Sequence, residues 1–107
     1  MSEKIKQEID KYIAVISTLS GVLQIYLFGS YAYGEPEEYS DIDLMIIIED
    51  NLDPIKTSVK INHKLVGKRT TPLDIMVNRK RDFTKATEEN TIQKHISDYG
   101  VLLYEAV

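Results

Sequence analysis

Three short apolar segments constrain the fold of this chain more than any other feature of its sequence. They are VLQIYLF at 22–28, IDLMIII at 42–48 and LDIMV at 73–77. Each contains β-branched or aromatic residues and is bounded by glycine, proline or polar residues, which is typical of a strand. The first two are apolar enough to be buried on both faces. We therefore predict a sheet built on these three strands.

An amphipathic helix is predicted before the first strand. Apolar residues recur there at spacings of four, four, three and three, which is a helical period. These residues are Ile5, Ile9, Ile13, Ile16 and Leu19. Ser2 is the predicted N-cap, and the helix is expected to end near Gly21.

Two further helices follow the second and third strands. One is predicted to begin at Asp53-Pro54, because aspartate caps helices and proline suits the first helical position. Its expected apolar stripe runs to Gly67 and contains Ile55, Val59, Asn62, His63 and Val66. The last helix is expected to stop at Gly100, before a short fourth strand at 101–104. Its stripe contains Ile92, His95, Ile96 and Tyr99, and both histidines are interpreted as partly buried packing residues.

This order of elements predicts one α/β (α+β) domain over residues 1–107, with a small mixed β-sheet and helices packed against it. Between the first two strands, residues 31–34 are expected to form a turn or a single helical turn, followed by an exposed acidic loop at 35–38.

Composition excludes several classes of function. Cysteine is absent, so there are no disulfides or thiolate metal sites, and no apolar run approaches the ~20 residues that span a bilayer. The net charge of −4 disfavours direct binding to nucleic acid through the overall field. The one basic run, Arg79-Lys80-Arg81, is interpreted as a solvated strand exit. A cytoplasmic location without membrane contact is expected.

Asp41 and Asp43 are the first candidate site residues. Side chains alternate across a strand, so these two point to the same face, about 6.5 Å apart. Two carboxylates that close disfavour each other's ionised form unless a positive charge lies between them. Hard oxygen ligands of this kind favour Mg²⁺ or Mn²⁺ over Zn²⁺. The alternative is that Asp41 caps the strand start and Asp43 faces solvent.

Asp74 is the third candidate, because it lies one residue inside the third strand between Leu73 and Ile75. Three carboxylates near the ends of adjacent strands would leave coordination positions open for phosphate oxygens. The alternative for Asp74 is an edge strand with one face in water.

Gly29-Ser30, directly after the first strand, is the fourth feature. Glycine lets the backbone turn sharply and approach a ligand closely. If a helical turn starts here, its free N–H groups and the Ser30 hydroxyl would form an anion site. The sequence is no P-loop, since the Gly-Lys-Ser/Thr ending is missing.

In combination, Gly29-Ser30, ten intervening residues, Asp41-x-Asp43 and a strand Asp74 resemble the DNA polymerase β-like nucleotidyltransferase superfamily. The stretch LFGSYAYGEPEEYSDIDLMIII is similar to the signature of its small prokaryotic branch, the minimal nucleotidyltransferases (MNT). LDIMV resembles the family's third carboxylate strand, and IQKHISDYGVLLYE its closing helix and strand.

The resemblance implies a role for each of these residues. Asp41 and Asp43 would bind two Mg²⁺ ions, with Mn²⁺ as a substitute, and Asp74 would help to hold the acceptor-side ion. Gly29 and Ser30 would bind the triphosphate of an NTP, with ATP as the expected substrate.

The chain departs from the family pattern at Tyr33, where many relatives have arginine. Arg79 or Lys80, following the third strand, is the candidate replacement cation. Tyr31, Tyr33 and Tyr39 lie near the expected site and could stack on a base.

The same resemblance implies a partner. Minimal nucleotidyltransferases often pair with a HEPN-domain protein as antitoxin to toxin, and they transfer AMP to a tyrosine of that toxin. Two other hypotheses stay open: a non-catalytic module that neutralises a partner by contact, and a nucleotidyltransferase acting on RNA or a small molecule. Whether the chain forms a homo- or hetero-oligomer also stays open.

Overall fold

A four-stranded sheet carries five helices in the computed structural model, which describes residues 1–34, 36–37 and 40–107. The elements, in chain order, are α1 (Glu3–Ile16), β1 (Val22–Phe28), α2 (Ser30–Tyr33), β2 (Ile42–Ile48), α3 (Pro54–Lys64), β3 (Leu73–Arg79), α4 (Lys80–Ala86), α5 (Ile92–Tyr99) and β4 (Val101–Glu105).

The sheet is mixed, with the strand order β3-β2-β1-β4. β1 runs antiparallel to both β2 and β4, while β2 and β3 are parallel. A parallel pair needs a crossover connection, and α3 supplies it. The predicted fold class is confirmed.

Side chains of β2 alternate between two layers of core. On one side of the sheet, the α1/α3 face, α1 and α3 cover Leu44 and its even-numbered neighbours. On the other, the α4/α5 face, Phe83 of α4 and Ile96 of α5 cover Met45 and Ile47. Both faces of β2 are therefore buried, as its uniformly apolar sequence predicts.

Helix α1 begins where predicted and ends earlier than expected. The Ser2 hydroxyl accepts a hydrogen bond from the Ile5 N–H at 3.2 Å, as an N-cap should. The helix stops at Ile16, because the hydroxyls of Ser17 and Thr18 donate to carbonyls of the last turn, an alternative to continued helix.

The predicted apolar stripe of α3 is wrong. Ile55, Val59 and Val66 are 77%, 63% and 74% exposed, and His63 is exposed as well. The buried side chains of this segment are Thr57, Ile61 and Leu65, which recur every four residues on a different side of the helix. The segment contains two sets of residues at helical spacing. The set that packs against the sheet is the one that contains Thr57.

Helix α4 differs from the prediction, in which the basic run at 79–81 is a solvated strand exit. Only Phe83 of this helix is buried, so no apolar period marks it in the sequence. Its first turn is held by Asp50, whose carboxylate accepts a hydrogen bond from the Arg81 N–H at 2.8 Å. β3 also runs to Arg79, two residues beyond the predicted strand.

Within the described residues, no helix is long and apolar enough to cross a membrane.

Candidate active site

Asp43 of β2 and Asp74 of β3 are paired in the register of the two parallel strands. Paired residues of neighbouring strands are about 4.8 Å apart and point to the same face. That face is the α4/α5 face, because Asp43 shares it with Met45 and Ile47. Asp41 directly precedes β2 and is exposed, and its charge acts on Asp43. The structure thus brings the three predicted carboxylates to one end of the sheet.

Asp43 is the most buried member of this acidic cluster. It is half-buried, whereas Asp41 and Asp74 are exposed. Burial raises the pKa of the Asp43 carboxyl above its ordinary value, and the negative charges of Asp74 and Asp41 raise that pKa further. The ionised cluster therefore favours a cation beside Asp43.

The bend at Gly29 lies directly against Asp43. Gly29 has φ +75°, a conformation that side-chain-bearing residues rarely adopt. A Cβ at this position would overlap the Asp43 carboxylate and would lie 3.0 Å from its Cγ. Glycine is therefore required here for two reasons: the backbone has a positive φ, and the Asp43 carboxylate leaves no space for a Cβ.

The helical turn α2 follows this bend. The N–H groups of Ala32 and Tyr33 donate to the Gly29 carbonyl at 3.0 and 3.2 Å, and the Gly34 N–H donates to the Ser30 carbonyl at 3.1 Å. The N–H groups that open a helix have no partner inside it. Here they lie next to Gly29, at the end of α2 that is nearest Asp43.

A divalent cation fits the chemistry of the acidic cluster. Three carboxylates are hard oxygen donors of the kind that Mg²⁺ and Mn²⁺ prefer. Burial and, after it, the charges of Asp74 and Asp41 raise the pKa of Asp43, and a nearby cation would oppose all of these effects. Within the described ranges, no three histidine, aspartate or glutamate side chains are already gathered closely enough to hold a metal ion. The cluster is consequently open, and its side chains would have to rotate to share an ion.

Tyr33 belongs to a small aromatic group beside α2. Its ring meets His95 of α5 edge-on at 4.9 Å, and His95 lies 5.0 Å from Tyr99. His95 is exposed, so its predicted partial burial is wrong. Its position near the site follows from the packing of α5, and no local sequence signal marks it. Tyr31 is half-buried and packs against the core of the α1/α3 face. Tyr39, Glu35 and Glu38 lie outside the described residues.

Arg79 and Lys80 do not serve the site. Asp74 is near the start of β3 and Arg79 at its end, five residues or about 16 Å away. Arg79 Nε donates to the Leu52 carbonyl at 2.9 Å, and Lys80 Nζ donates to Gln24 Oε1 at 3.1 Å. The idea that either residue replaces the cation absent at Tyr33 is therefore wrong.

Comparison with known proteins agrees with this geometry. The family model "Polymerase beta, Nucleotidyltransferase" matches residues 3–106. A Methanocaldococcus jannaschii protein described as a candidate protein adenylyltransferase is 41% identical over 51 residues, which are 48% of this chain and 51% of that protein. The chain thus spans about half the length of that relative. A second candidate protein adenylyltransferase from the same organism is 30% identical over 73% of this chain and 75% of its own length.

Solved structures share the fold. A toxin–antitoxin structure with AMP-PNP superposes with a TM-score of 0.61 and 22% identity, over 94% of this chain and 73% of that chain. A complex of tri-AMPylated Shewanella oneidensis HEPN toxin with MNT antitoxin gives a TM-score of 0.56 and 21% identity, over 94% of this chain and 72% of that chain.

Because the family model covers nearly the whole chain and the second relative is 30% identical over most of both chains, this chain belongs to the polymerase beta nucleotidyltransferase family.

Proposed function

We propose that this chain transfers AMP from ATP to a hydroxyl group of a partner protein, with release of pyrophosphate, and that the hydroxyl belongs to a tyrosine of a HEPN-domain toxin. One observation carries the proposal. Asp43 and Asp74 are side by side in register, and the Gly29 bend lies against the Asp43 carboxylate. A carboxylate pair and a candidate phosphate site are thereby in contact, as transfer between a triphosphate and an acceptor requires.

The bend and α2 would bind the triphosphate. The opening N–H groups of α2 and the Ser30 hydroxyl are donors for phosphate oxygens. The triphosphate would then be held beside Asp43. Holding a reactant in position lowers the entropic part of the activation barrier for transfer.

Asp41, Asp43 and Asp74 would hold Mg²⁺, or Mn²⁺ in its place. When bound, such ions screen the triphosphate and stabilise the charge that develops on the attacking and leaving oxygens. Asp74 is exposed on the edge strand β3, so its carboxylate is open to an incoming acceptor.

Support for a protein acceptor comes from the relatives. Both Methanocaldococcus jannaschii proteins are described as candidate protein adenylyltransferases, and the Shewanella oneidensis complex joins an MNT antitoxin to an AMPylated HEPN toxin. The net charge of −4 suits a basic, RNA-cutting partner better than a nucleic-acid acceptor.

The test is transfer of label from α-phosphate-labelled ATP, with Mg²⁺, to a co-expressed HEPN partner. Mass spectrometry is expected to find AMP on a tyrosine of the partner, and Asp43→Asn is expected to abolish the adduct. Asp10→Asn, on an exposed position of α1, is the matched control and should retain activity.

Other outcomes would select the competing hypotheses. Neutralisation of the partner without any label, retained in the Asp41→Asn/Asp43→Asn variant, would select a contact-only antitoxin. Label on RNA or on an aminoglycoside, with none on protein, would select a different acceptor class.

A further inference from the structure

Glu8 is a buried carboxylate that the proposed chemistry does not use. It lies on α1, it is 4% exposed, and it belongs to the α1/α3 side of the sheet, opposite Asp43 and Asp74. Burying a charged group is costly unless it is fully hydrogen-bonded. Its surroundings therefore have to explain why a carboxylate is tolerated here.

Its hydrogen bonds converge from one segment of the chain. Glu8 Oε1 accepts from the N–H of Thr70 at 2.9 Å and from the N–H of Thr71 at 2.6 Å, and Oε2 accepts from the Thr71 hydroxyl at 2.7 Å. The Tyr12 hydroxyl also donates to it. Three of the four donors thus lie in the two residues that precede Pro72.

That segment leads directly into β3. The Pro72 carbonyl accepts a hydrogen bond from the Ile42 N–H at 2.8 Å, and the next two residues pair Leu73 with Ile42 and Asp74 with Asp43. β3 is an edge strand, so only one of its sides is held by a neighbouring strand. A register slip of one residue would turn Asp74 to the opposite face.

We propose that Glu8 is a positioning residue for the acidic cluster: it ties Thr70 and Thr71 to α1, and it thereby fixes where β3 starts and where Asp74 meets Asp43. This inference rests on the proposed function only for its catalytic consequence. The structural part concerns β3 alone and can be tested without any substrate.

The direct test is amide hydrogen exchange of the full chain. Glu8→Gln removes the charge that two N–H groups share, and it is expected to accelerate exchange of the protected β3 amides by about tenfold, with a much smaller change in β1. Thr71→Val keeps both backbone hydrogen bonds and loses only the hydroxyl, so it should produce a smaller effect of the same kind. If Glu8→Gln does not fold, this variant decides the matter.

Ile16→Val, in the same helix but about 12 Å along it from Glu8, is the control for general loss of stability. Equal acceleration in β1 and β3, or the same pattern in Glu8→Gln and Ile16→Val, would overturn the inference. Unchanged exchange in β3 would overturn it as well.

The second readout is Mn²⁺ binding followed by electron paramagnetic resonance. Glu8→Gln is expected to weaken Mn²⁺ binding by about tenfold, as loss of a supporting residue around a metal site does, and Ile16→Val is expected to leave it unchanged. Asp43→Asn separates the two proposals. If wild type and Asp43→Asn bind Mn²⁺ equally, the metal site of the proposed function is wrong, while β3 exchange still decides the role of Glu8.

Discussion

Asp43 and Asp74 are adjacent across the parallel pair of β2 and β3, and burial together with the charge of Asp74 raises the pKa of Asp43. Neither residue is near the other in sequence. The α3 crossover and the start of β3 create the pair, so the site depends on how β3 is placed as much as on the aspartates themselves.

Asp43→Asn is expected to lower transfer activity by more than about a hundredfold, since loss of a ligand should exceed the effect of losing a supporting residue. Without divalent ions the variant should unfold at the same temperature as wild type or higher. The pKa of Asp43 is raised in the folded state, so at neutral pH its ionised carboxylate lowers the stability of the fold. Mn²⁺ should then stabilise wild type and not the variant, which thermal unfolding with and without Mn²⁺ measures.

Gly29→Ala and Gly67→Ala form a matched pair of substitutions. Both glycines have φ +75°, so each alanine is expected to cost about 1–3 kcal/mol of unfolding free energy through backbone strain. A Cβ at Gly67 meets nothing within 4 Å, whereas a Cβ at Gly29 overlaps the Asp43 carboxylate. Denaturant unfolding should show a larger loss for Gly29→Ala, and only that variant should lose activity. Equal loss of activity in both variants would contradict the assigned contact.

Stability is expected to fall in acid through Glu8. Burial alone would raise the pKa of Glu8, but the hydrogen bonds from Tyr12, Thr71 and Thr70 outweigh it and lower the pKa to about 2. The stabilisation is therefore complete above the unfolded value of 4.5 and is lost as the pH falls toward 2. It amounts to roughly 3 kcal/mol. Urea unfolding between pH 5 and pH 2.5 should show a smaller decline for Glu8→Gln than for wild type.

Tyr33→Arg is expected to strengthen ATP binding. Tyr33 and Ser30 are three residues apart in α2 and lie on the same side of the helical turn, so a guanidinium there would reach the proposed phosphate site. A charge-assisted hydrogen bond of this kind should increase affinity by about tenfold. Calorimetric titration with ATP measures the gain. AMP lacks the β and γ phosphates, and a similar gain for AMP would contradict this placement.

The sequence by itself determined the strands and most of the caps. The bounds of β1 and β2 agree with prediction because six of the seven residues in each are apolar, and such segments are buried in any packing. Ser2 and Asp53 cap α1 and α3 as predicted, because a cap is a contact within three residues. The nomination of Asp41, Asp43 and Asp74 came from their unusual place beside apolar strands, in combination with Gly29-Ser30.

Only the tertiary structure decided which helix faces are buried and what surrounds the site. The stripe of α3 at Thr57, Ile61 and Leu65 was chosen by contact with the sheet over a second stripe of similar spacing. The contacts of Glu8 with Thr70 and Thr71, more than sixty residues away, and of His95 with Tyr33 have no local signal, because they arise from separately formed elements. Sequence periodicity indicates which face of a single helix or strand can be buried, whereas long-range contacts depend on how all the elements pack together.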